Sequence, residues 1–183
     1  MSRFQARCQT AWWRPSVAAV RWVASRVACS TSSQARAAGV LVVFVRFALR
    51  PSGADLLPDN ELHRSFFEAG DTFHEGSAGT EVDLPVADGD VVVLERRASA
   101  FAGTDLDLVL RARDVGAIAG AGVATSAMVA ATCYDAADRG YRVTVLRDGC
   151  ADGDPAVHDF FVDTVFPGRG FEVVPCADWP RVR

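Results

Sequence analysis

Three kinds of side chain in this 183-residue sequence can do chemistry: five cysteines, three histidines and the carboxylates, among which Glu95 and Asp148 follow apolar runs. A thiolate is a good nucleophile only where a cation or a helix N-terminus lowers its pKa, so the positions of the cysteines matter more than their number. Cys8, Cys29, Cys133, Cys150 and Cys176 are odd in number, widely spaced and never arranged as CxxC. Neither a disulfide framework nor a zinc site is expected from them, and a reducing, cytoplasmic setting fits. His63, His74 and His158 are far apart, without HxxxH or HExxH spacing, so no metal and no cofactor is expected. All 19 basic residues are Arg. The lack of Lys removes Schiff-base and P-loop chemistry.

The elements that position these groups follow from hydrophobic period. A continuous apolar, β-branched run over residues 40–45 predicts a strand buried on both faces of a parallel sheet, preceded by a helix over residues 17–38 that Gly39 stops. Residues 51–79 form a long polar connection, a length that is either functional or carries short helices. A second strand is expected over 88–94, a helix over 105–113, a strand over 117–123 and a long helix over 126–139 that Gly140 ends. A strand over 142–146 follows. Asp154 and Pro155 then make a favoured helix start, and a short last strand covers 171–174. Strict alternation of strand and helix implies a three-layer, Rossmann-like, doubly wound α/β domain with a mainly parallel sheet.

The net charge of -4 offers no general attraction to nucleic acid or anionic membranes. Charge is unevenly placed, because no Asp or Glu precedes Asp55 whereas eight Arg do. Residues 1–34 are therefore set apart as an atypical Arg- and Trp-rich segment, with the composition of an organellar transit peptide but no uninterrupted core for a secretory signal. The uncharged run 115–133 is long enough to span a bilayer, yet Gly, Ala, Ser and Thr dominate it. No membrane partner is expected.

In open parallel sheets the working residues lie beyond the carboxyl ends of strands. Three such places here carry recognisable text. Glu95-Arg96-Arg97-Ala98-Ser99-Ala100-Phe101 resembles the second block of the isochorismatase-like cysteine hydrolases, and Gly122-Val123-Ala124-Thr125-Ser126-Ala127-Met128 resembles their nucleophile turn. Asp135 through Tyr141, Arg36 through Val40, and His74-Glu75-Gly76 are similar to family text as well, so the resemblance covers residues 35–175. It implies an Asp at the end of a first strand, a Lys before the Ser-Ala-Phe block and a Cys at the helix start. By position the Lys falls on Glu95 and the Cys on Met128, and the first strand falls at or before the start of the chain, truncated or replaced. A thioether cannot serve as a thiolate, and a carboxylate does not lower a neighbouring acid's pKa.

The resemblance thus implies a pseudoenzyme that binds a small carboxylate or amide ligand, with Phe101, Val123, Ala124 and Thr125 lining the cleft and the 123–125 turn offering backbone N–H groups to an anion. A homo-oligomer is implied by resemblance alone. Other readings stay open. Glu95 can act as an acid or base in an unusual hydrolase, although a surface pair with Arg96 or Arg97 is the expectation for it. Gly120-Ala121-Gly122-Val123-Ala124-Thr125 is a near match to a dinucleotide turn, but lacks the last Gly. A truncated gene product without function is the remaining reading. Cys133 is expected to be a buried helix cysteine, Met128 a packing residue, and His74 and His158 exposed or locally hydrogen-bonded. Asp148 either binds a ligand or caps a turn.

Overall fold

The computed structural model describes residues 25–82 and 84–179. The expected helix over 17–38 is seen as α1 (Ser25–Ala37), its earlier part and most of the Arg- and Trp-rich segment lying outside the described residues. Gly39 stops it with φ 71, the left-handed conformation that favours glycine, and Val40 N–H returns to Ala35 O. Strand β1 (Val43–Phe47) begins three residues later than hydrophobicity suggests. Its pairing starts where its partner β2 (Val91–Glu95) starts, with Val43 opposite Val91 and Phe47 opposite Glu95.

The long connection carries α2 (Glu61–Glu68), capped by the Asn60 side chain on His63 N–H, and two short 3-10 turns. Leu49 ties it back to the end of β1. Its N–H donates to Phe73 O at 2.8 Å and its carbonyl accepts from Glu75 N–H at 2.9 Å, which brings Phe73 beside Phe47.

After α3 (Leu106–Ala112), strand β3 (Ala117–Val123) pairs in parallel with β4 (Arg142–Ala151), and β4 pairs in parallel with β5 (Glu172–Val174). Strand β4 runs five residues beyond the expected 142–146. The extra length follows from the register shift between Gly120 and Gly122, which lets Gly122 and Val123 pair with Cys150 and Ala151. Between β3 and β4 the chain makes one wide π turn, Thr125–Val129, then α4 (Ala130–Asp138). Helix α5 (Pro155–Phe160) starts as expected, with Asp154 accepting from Ala156 N–H.

The parallel α/β architecture matches the sequence reading, with one feature that matters for everything below. Among the described residues the strands form two sheets, β1–β2 and β3–β4–β5, and no strand joins β1 to β3. Both sheets contribute to one apolar core that includes Phe44, Val45, Ala121, Val145 and Phe166. Arg36 on α1 clasps Asp90, just before β2, through bonds of 3.1 and 2.7 Å. Burial raises the Asp90 pKa, but its bonds from Arg36 and from Ala87 N–H outweigh that and leave it below the usual value.

Candidate functional site

A cavity of about 1090 Å³ runs between the two sheets, with Val43, Val45 and Phe47 on one wall and Ala119, Ala121 and Val123 on the other. Its upper end, beyond the carboxyl ends of the strands, is the cleft where the sequence places function. Glu95 closes β2 there and Met128 faces the same space from the π turn. The structure therefore brings the two substituted positions together.

Glu95 is buried, which overturns the expected surface pair with Arg96 or Arg97. Those arginines are engaged elsewhere. Arg96 binds Glu75 at 2.6 Å and lies 3.4 Å from Asp55, while Arg97 donates to the carbonyls of Arg96 and Asp55. The reason is alternation along the strand: Arg96 turns away from the cleft onto Ala48 O, leaving Glu95 to face inward opposite Phe47. Burial alone pushes the Glu95 carboxyl well above the usual carboxylate range. In that setting the neutral acid is favoured, a group that donates one hydrogen bond and accepts another.

The surroundings are aromatic. Phe47, Phe66 and Phe73 meet in tilted and edge-to-face pairs 5.2–6.3 Å apart, and Met128 packs against them. The packing expected of Met128 and its position on the cleft are both seen. His63, which sequence reasoning left unassigned, is buried in this cluster 5.8 Å from the Phe47 ring, and its Nδ1 has no partner. Burial, then Arg97, lowers its pKa, favouring the neutral imidazole.

Phe101, Val123 and Ala124 line the cavity. Phe101 is mostly committed to packing, stacked on Tyr141 at 5.8 Å with the Arg139 guanidinium 4.9 Å above it. The Ser-Ala-Phe turn is pinned to α4 by Ser99 Oγ–H to Asp135 at 2.7 Å and Ala100 N–H to Thr132 Oγ1 at 3.0 Å. Val123 and Ala124 are joined by a cis peptide bond. Thr125 is fully buried and does not line the cavity; its Oγ1 lies 2.9 Å from His158 Nδ1.

The anion reading of the 123–125 turn meets a competitor that sequence reasoning missed. Asp152 accepts from Ser126 N–H at 2.7 Å, and Ala127 N–H returns to Ala124 O. Its position five residues beyond the expected end of β4 hid this role; only the longer strand carries it back to the turn. An incoming anion would face a carboxylate already seated at the helix start.

Other candidates fall away from the cleft chemistry. Asp148 caps a turn, accepting from Cys176 N–H at 2.6 Å. His158 is half-buried and bonded to Thr125, and His74 stacks on Phe67 at 4.6 Å. Cys133 is buried, and burial raises its thiol to about 12, which keeps it protonated and unreactive.

Comparison with known proteins adds to this geometry. The isochorismatase domain family matches residues 15–177. An uncharacterised isochorismatase family protein of Bacillus subtilis is 35% identical over 88 residues, 48% of this chain and 47% of that protein. An N-carbamoylsarcosine amidase of Arthrobacter is 37% identical over 71 residues, 39% of this chain and 27% of that protein. The chain thus spans about half the length, or less, of these curated relatives. A crystal structure of an isochorismatase family protein from Desulfovibrio vulgaris superposes with a TM-score of 0.76 at 30% identity, covering 84% of this chain and 80% of that one.

Proposed function

This chain belongs to the isochorismatase family, and from that premise we propose that it is a member without cysteine-hydrolase chemistry, binding a small amide or carboxylic acid in the cleft. The observation that carries the proposal is Glu95: a buried acid, favoured in its neutral form, lining the same cleft as the thioether of Met128. No thiolate can form at Met128, and the buried Cys133 thiol is held protonated. What remains is a recognition site. A neutral Glu95 donates to a ligand carbonyl and accepts from an amide N–H, the paired pattern of a primary amide or a protonated acid. Phe47, Phe66 and Phe73 then bury the ligand's apolar part. The carboxylate form of a ligand is disfavoured beside this acid, and Asp152 already holds the Ser126 amide.

The family assignment gives the dinucleotide reading no support. A hydrolase that activates water through Glu95 rests on the same residue, and one experiment separates it from binding. Titration calorimetry with small aliphatic and aromatic primary amides is paired with ammonia release from the same solutions. Glu95→Gln keeps the donor–acceptor pattern and should bind within about threefold of the parent, whereas Glu95→Ala should weaken binding about tenfold, as loss of one buried hydrogen bond implies. Ammonia should not appear. Release that vanishes in Glu95→Gln would identify a working hydrolase instead.

The cytoplasmic setting and a homo-oligomer belong to this proposal. Among the described residues, no helix is long and apolar enough to cross a membrane.

A further inference from the structure

The two sheets face each other across the cavity with their edges open. Strand β1 pairs only with β2, and β3 only with β4, among the described residues. Their free edges, β1 of five residues and β3 of seven, border one continuous space that runs from Val40 and Val115 at one end to Glu95 and Met128 at the other. Parallel sheets are normally closed and buried, and an open edge carries a row of unpaired N–H and C=O groups. Two open parallel edges on one apolar slot are a template for a single extended strand between them.

We infer that residues 8–13 of this chain occupy that slot as a strand parallel to both β1 and β3. The chain outside the described residues ends at α1, and α1 feeds β1 through a short turn at Gly39. A strand placed before α1 in this way completes a parallel strand–helix–strand crossover, the connection that parallel neighbours require. A strand bonded on both edges tolerates neither Pro nor an unpaired charge. Within residues 1–24, Arg3, Arg7, Arg14, Pro15 and Arg21 leave two stretches of five or more residues, 8–13 and 16–20. The second falls inside the stretch whose valine spacing is helical.

Residues 8–13 end one short link, Arg14-Pro15-Ser16, before that helical spacing begins. Three residues is an ordinary strand-to-helix connection, and Ser16 is a favoured helix cap. Size complements size as well. The β3 wall consists of Ala119, Gly120, Ala121 and Gly122, which leaves room for the indoles of Trp12 and Trp13.

Hydrogen exchange of the full-length chain, read by mass spectrometry, tests the inference and is independent of any amide-binding result. Residues 8–13 should exchange at least about 100-fold more slowly than an unstructured chain, in step with peptides covering β1 and β3. Unprotected residues 8–13 would overturn it, and so would protection confined to residues 17–24 as an extension of α1. Protection of 8–13 that is lost on tenfold dilution, with a fall in sedimentation mass, would mean that a second copy supplies the strand. That outcome too would overturn the inference.

Discussion

The two sheets differ in what their side chains are for. On the β1–β2 side the residues near the cleft are large and aromatic, Phe47, Phe66 and Phe73, and they surround polar groups, Glu95 and His63, whose burial shifts them toward neutral forms. On the β3–β4–β5 side the residues are small and tightly fitted. A Cβ on Gly149 would come within 3.1 Å of Ala121 and 3.2 Å of the Cys176 sulfur, and one on Gly120 would lie 3.3 Å from the Cys133 sulfur. One side presents chemistry and tolerates an open wall, while the other is filled and carries stability. A cysteine hydrolase would need its nucleophile on the second side. Here that side has only buried, protonated thiols and the thioether of Met128.

The strongest way to break this contrast is to cut into the filled side. Phe166 is fully buried, 5.6 Å from the Phe161 ring and 6.0 Å from Phe171. Phe166→Ala should lower unfolding free energy in urea by about 3–5 kcal/mol, the cost of a large unrelaxed cavity. A loss below about 1 kcal/mol would mean that the filled side is not the stabilising one.

A smaller effect sharpens the other half of the comparison. The folded state holds Glu95 protonated above the usual carboxylate range, so between the unfolded and folded pKa values the native chain binds more protons than the unfolded one. Stability contributed in this way is fully present below the unfolded value and declines as pH rises toward the folded one. Glu95→Gln should remove that decline, giving a flatter stability profile above the ordinary carboxylate range. Parallel profiles for parent and variant would place Glu95 in a hydrated setting.

Much of this was legible in residue order, because local signals need no partner. The strand Ala117–Val123 has the bounds its apolar run implies, Gly39 and Gly140 stop helices at positive φ, and Asp154 with Pro155 starts α5. The resemblance put Glu95 and Met128 at corresponding strand and helix ends, and the fold brings both to one cleft. What was not legible depends on register. Whether Glu95 faces solvent or core is decided by its pairing opposite Phe47 and by Ala48, Glu75 and Asp55 gathering Arg96. The bond from Ser126 N–H to Asp152 requires β4 to run to Ala151, which its apolar pattern does not announce. The division of the strands into two sheets is a property of pairing between distant segments, invisible to any local period.

The account stands on Glu95 being a neutral acid inside the cleft, and the most direct measurement is a carbon-13 NMR titration of glutamate carboxyls, with Glu95→Gln identifying the resonance. The predicted result is a Glu95 carboxyl that stays protonated well above the pH at which the exposed glutamates ionise. A Glu95 resonance that titrates together with those exposed carboxylates would contradict the account and remove the hydrogen-bond donor on which the proposed ligand recognition depends.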